Sequence, residues 1–115
     1  MLSPFELEKK CVDIFQRLGW EVSVPKLEKD YGYDITLTYK GKICGYVQVC
    51  SRNNLKQMLK NIDYILEFIN EKKAFFIITN GYAYDLYIGN EFFGCLSVPP
   101  TPEEIELLLG GANNE

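Results

Sequence analysis

The 115-residue chain contains no histidine. That absence removes Ser-His-Asp and Cys-His hydrolases and every histidine metal triad, so any catalysis must rest on carboxylates, lysine, tyrosine or cysteine. Its four cysteines, Cys11, Cys44, Cys50 and Cys95, show no CxxC spacing and sit inside apolar patterns. They read as small buried hydrophobes of a reducing cytosol, and a zinc site lacks the ligands it would need. No apolar run reaches the roughly 18 residues of a membrane span, so no membrane partner is expected. The start, MLSPFELEKK, lacks the basic opening and apolar stretch of a secretory leader, and a cytoplasmic location is expected. Basic residues are missing from the last third of the chain. All 12 Lys and Arg lie within residues 1–73, against ten acids, whereas residues 74–115 hold six acids and no base. The net charge of −4 therefore conceals a mildly basic body, on which a phosphate-facing patch can sit, and an acidic end.

What is present suits one packed domain. Apolar residues make up 47% of the chain and aromatics 14%, too much for a disordered polymer. Residues 1–109 are expected to form a single domain and 110–115 a flexible tail. Ser3, Pro4 and Glu6 carry the marks of a helix start. Leu7, Cys11, Ile14, Phe15 and Leu18 follow at helical spacing, and Gly19 ends the helix. WEVSV, YDITLTY and KICGYVQVC read as strands, the last two joined by a hairpin at Lys40-Gly41. NLKQMLKNIDYILEFINEKK is an amphipathic helix, and AFFIIT is a strand covered on both faces. YAYDLYI and FFGCLSV follow as strands, then a short helix, EEIELLL. The order α-β-β-β-α-β-β-β-α predicts an α/β fold, a mixed sheet flanked by helices.

Strand alternation places Asp34 on one face with Thr36 and Thr38, and Tyr46, Gln48 and Cys50 together on one face of the next strand. An antiparallel hairpin would then bring a carboxylate and an amide oxygen to one edge of the sheet. Such oxygen ligands suit Mg²⁺ or Mn²⁺. Glu8, at the border of the first helix's buried stripe, is the candidate third ligand. It also reads as a solvated acid of the first turns.

These residues resemble the PD-(D/E)xK superfamily of restriction-endonuclease-like nucleases, and within it the Mrr-like branch. The elements "LE" at 7–8, "LGWEV" at 18–22, "DYGYDI" at 30–35 and "VQVC" at 47–50 follow that branch in order and spacing. "FFIITNGYAYDLY" and "PPTPEEIELLL" are similar to stretches of the nuclease domain of type I restriction R subunits. The resemblance implies a restriction-endonuclease-like core and metal-dependent phosphodiester hydrolysis. Asp34, Gln48 and Glu8 would be metal ligands and Mg²⁺ or Mn²⁺ the cofactor. It implies DNA as partner, with a homodimer or a helicase, translocase or restriction partner as further possibilities.

The departure is Cys50, which occupies the position of the family's catalytic lysine and offers neither charge nor a strong donor. Arg52, sharing the strand parity of Cys50, is the first candidate for a displaced basic residue. Lys56 and Lys60 come next, though each also reads as a solvated helix charge, and Arg52, Lys56, Lys60 and Gln57 are candidate DNA contacts. Two further readings stand beside an active nuclease. One is a pseudo-nuclease that binds nucleic acid or serves in assembly. The other is a protein-interaction domain built on the aromatics Tyr82, Tyr84, Tyr87, Phe92 and Phe93.

Overall fold

The computed structural model describes residues 4–24, 35–41, 43–49, 74–88 and 91–113. The Ser3 cap and the helix expected over 54–73 lie outside them. Helix α1 spans Pro4–Arg17 and buries Leu7, Cys11 and Phe15. It closes on Gly19, whose φ of 105° is open to glycine at little cost. The Gly19 amide donates to the Gln16 carbonyl and the Trp20 amide to the Phe15 carbonyl, both at 3.1 Å. These two bonds satisfy carbonyls that the helix end would leave unpaired.

Six strands form one mixed sheet in sequence order: β1 (Glu21–Ser23), β2 (Ile35–Tyr39), β3 (Ile43–Val49), β4 (Ala74–Thr79), β5 (Tyr84–Ile88) and β6 (Glu91–Leu96). Neighbours are antiparallel except β3 and β4, which run parallel. The β2–β3 hairpin turns at Lys40 and Gly41, with φ of 53° and 66°. Paired positive values of this kind match the twist of hairpin strands. Helix α2 spans Pro102–Asn113 and so runs through Gly110-Gly111, beyond the residue at which the glycine pair led the sequence reading to end it.

One face of the sheet carries Ile35, Leu37, Val47, Phe75, Ile77, Tyr84 and Leu86. These pack in a single core with Leu7, Cys11 and Phe15 of α1, with Trp20, and with Ile105 and Leu109 of α2. Gly45 is needed there because a Cβ would lie 2.1 Å from the Phe75 ring on the neighbouring strand. The other face carries Phe76, Ile78 and Tyr87, also buried. β4 is thus apolar on both sides, as its unbroken run predicts. The expected α/β architecture, a mixed sheet with helices, is what the chain adopts. Among the described residues no helix is long and apolar enough to cross a membrane.

Candidate active site

Strand directions bring particular chain ends together. β2 begins where β3 ends, because Ile35 pairs with Val47. β3 ends beside the end of β4, because Gln48 pairs with Ile78 and Val49 with Thr79. Asp34 directly precedes Ile35 in the chain, and Cys50 directly follows Val49. Asp34, Cys50, Arg52, Lys56, Gln57 and Lys60 themselves lie outside the described residues.

Gln48 is described, and it is the unusual residue of this corner. It lies on the face of the sheet opposite Val47. Its Oε1 is buried and has no hydrogen-bond partner among the described residues. Leaving a buried amide oxygen without a donor costs about 1–3 kcal/mol, so chains rarely keep one without use for it. A hard cation is the natural complement of such an oxygen. Among the described residues there is no group of three or more His, Cys, Asp or Glu that could hold a metal. Gln48 therefore fits a divalent ion only together with the carboxylates expected from the sequence.

Helix α1 reaches the same corner. Leu7 packs so closely on Gly81 that a Cβ there would come within 2.6 Å of Leu7 Cδ1. This sets the first turns of the helix over the β4–β5 turn. Lys10 extends to the same turn, its Nζ 5.3 Å from the centre of the Tyr82 ring. Residues two apart on a helix are about 200° apart around its axis, so Glu8 projects from the opposite flank to Lys10. Helix α1 also packs against β1 and β3. Glu8 is half-buried and has an interaction of its own.

The β4–β5 turn is rigidly built. The Asn80 side-chain oxygen accepts the Tyr82 and Ala83 amides at 2.9 and 3.0 Å. The Thr79 hydroxyl accepts the Gly81 amide at 2.9 Å and donates to the Ala83 carbonyl at 2.8 Å. Burial pushes the Tyr84 phenol above its ordinary pKa. Cys11 acts in the same direction, and a hydrogen bond with Thr79 opposes them. The sequence reading recognised a turn at Asn80-Gly81 but missed the part played by Thr79. A threonine ending an apolar strand just before Asn-Gly was the available signal.

Of the five aromatics grouped as a contact face, Tyr84 and Tyr87 are core residues. Tyr82, Phe92 and Phe93 are exposed, so they form no single patch with the buried pair. Cys11 is buried, while Cys44 is half-buried and Cys95 exposed. The expectation of uniformly buried cysteines therefore fails at Cys95, on edge strand β6. Its thiol is raised in pKa, first by a hydrogen bond with Asp85 across the strand pair.

Residues 1–86 match the Mrr catalytic family model, described as a restriction endonuclease. No curated protein and no solved structure matches the chain.

Proposed function

Because the chain belongs to the Mrr-type restriction endonuclease family, we propose that it is a DNA-acting nuclease whose metal site sits at the β2–β3 corner of the sheet. The observation that carries this reading is the Gln48 oxygen, buried and without a hydrogen-bond partner among the described residues. Its position beside the start of β2 supports Asp34 and Gln48 as partners in one ligand set. The flank of α1 from which Glu8 projects supports Glu8 as the third member.

Mg²⁺ or Mn²⁺ held by these oxygens would supply Lewis-acid stabilisation of the phosphodiester and a more acidic bound water. Asp34 would contribute the formal negative charge that holds the ion. Gln48 would contribute a neutral oxygen, already desolvated, so that little reorganisation accompanies binding. Cys50 cannot hold positive charge beside the developing phosphorane, and a missing electrostatic group of this kind costs about 10²–10³ in rate. Arg52 is the residue placed in sequence to restore part of it. Arg52, Lys56, Lys60 and Gln57 would contact the DNA. A homodimer would give each DNA strand its own site, and a helicase or translocase could deliver the substrate.

Cys50 also favours a second reading, in which the chain holds DNA and does not cut it. A plasmid-nicking assay in Mg²⁺ and Mn²⁺ at low salt separates the two. The expected result is slow nicking by the intact chain, none by Asp34→Ala, and faster nicking by Cys50→Lys. Cutting by Cys50→Lys alone would establish the binding role. Failure of all three to cut, with no Mn²⁺-induced rise in melting temperature, would remove the metal site.

A further inference from the structure

We propose that the first turns of α1 and the β4–β5 turn form a platform on which unpaired bases of a DNA strand stack, beside the candidate active site. The inference rests on the reading of the chain as DNA-acting.

Most aromatic rings described in this fold are in the core or half-buried, yet two large rings here stand out in solvent. Tyr82 is 78% exposed and Phe5 69% exposed. Each carries an ammonium group over its face, Lys10 at 5.3 Å from Tyr82 and Lys9 at 5.4 Å from Phe5. Nearby, Asp13 is taken up by Arg17 at 3.0 Å, and Glu6 and Glu8 have interactions of their own. A flat apolar ring with a cation beside it complements a polyanion whose units present flat π faces, which describes a nucleotide strand.

The exposed rings of β6 provide the contrast. Phe92 and Phe93 lie in the segment without a single base, next to Glu91, where phosphate would be repelled. Charge therefore selects the α1 platform, and not the β6 edge, as the nucleic-acid face.

The platform is preorganised. The Tyr82 backbone is held by Asn80, and Gly81, at φ 91°, is seated on Leu7. Little order has to be imposed on binding. A base paired within a duplex offers only its edges to a protein, so these rings can be used only by bases out of the stack. Lys10, with Tyr82, and Glu8 occupy opposite flanks of one helical turn, and Phe5 with Lys9 lies on the exposed side between them. A frayed end, flap or single strand seated on Tyr82 would thus continue across the start of α1 toward Gln48.

Fluorescence anisotropy of labelled oligonucleotides, in EDTA and at low salt, tests this without requiring cleavage. Three probes are compared on the full chain: a single strand, the same strand with abasic positions, and the duplex. The base-containing strand should bind roughly tenfold or more tighter than the abasic one. Tyr82→Ala should erase that difference with an unchanged melting temperature. Lys10→Gln should weaken both strands alike and lower the salt slope by about one. Equal binding of base-containing and abasic strands overturns the platform, and so does a Tyr82→Ala variant that alters sedimentation but not DNA binding. If no DNA form binds at all, the nuclease reading falls with it. Metal-dependent nicking that persists beside equal affinities sinks the platform alone.

Discussion

Tyr84 shows how one side chain serves both core and corner. Its ring packs edge-on against Phe15 at 6.3 Å, while its hydroxyl lies near Thr79 at the end of β4. Burial raises its pKa above the ordinary 10.0. The folded chain therefore keeps a proton that the unfolded chain gives up. The stability this confers is complete below about pH 10 and is lost as pH rises through the folded value. Urea titrations across that alkaline range should show a steeper loss for the intact chain than for Tyr84→Phe. Some decline should remain in the variant, because burial, with Asp85, also raises Tyr87. Identical slopes in the two proteins would mean that Tyr84 titrates as it does in the unfolded chain. Gln48 makes the complementary point. Its alternation with Val47 was legible in the sequence, because strand parity is a local property. That its oxygen would be buried with no donor among the described residues was not legible, because burial depends on what the fold brings over it.

At the scale of elements, the helix ends are the best explained features. α2 opens with a reciprocal cap, in which the Thr101 hydroxyl accepts the Glu104 amide at 3.2 Å and the Glu104 carboxylate accepts the Thr101 amide at 3.3 Å. Pro102 occupies the first helical position, where no amide donor is needed. Thr101→Ala should destabilise the protein by about 1 kcal/mol, read from the urea midpoint with the slope unchanged. A neutral substitution would mean that packing of Ile105 and Leu109 alone holds the helix. The Thr-x-x-Glu spacing was present in the sequence, hidden among three prolines that drew attention to the break and away from the cap. The strands came through more faithfully. AFFIIT is β4 from end to end, and among the described residues the other strands differ from expectation only at their termini. Continuous or alternating apolar patterns report burial directly, whereas strand ends depend on where a neighbour stops pairing.

At the scale of the molecule, the segment that follows the family match is tied into the same core. The Trp20 indole donates to the Pro100 carbonyl at 3.0 Å across 80 residues. The same ring lies 5.2 Å from Phe75 and 6.3 Å from Tyr39. Trp20→Phe would keep most of the ring contact but leave the Pro100 oxygen unpaired, at a cost of about 1–3 kcal/mol by urea unfolding. Loss of only a few tenths would show that water can replace the indole. This bond joins the entrance of β1 to the entrance of α2, so stability lost there should be shared by both ends of the chain.

The sequence by itself determined the element types of the described residues, the central place of β4 and the parity that puts Gln48 opposite Val47. Each follows from local periodicity, which the chain carries residue by residue. The order from Glu8 through Asp34 to Gln48 and Cys50 was read from the sequence, and the family match spans residues 1–86. Only the tertiary structure decided that β3 and β4 run parallel, so that their ends meet the start of β2. It alone set Leu7 on Gly81, turning Glu8 and Lys10 to opposite flanks of α1, and divided the aromatics into core and surface. Those outcomes depend on residues far apart in the chain competing for the same space, and no stretch of sequence contains that competition.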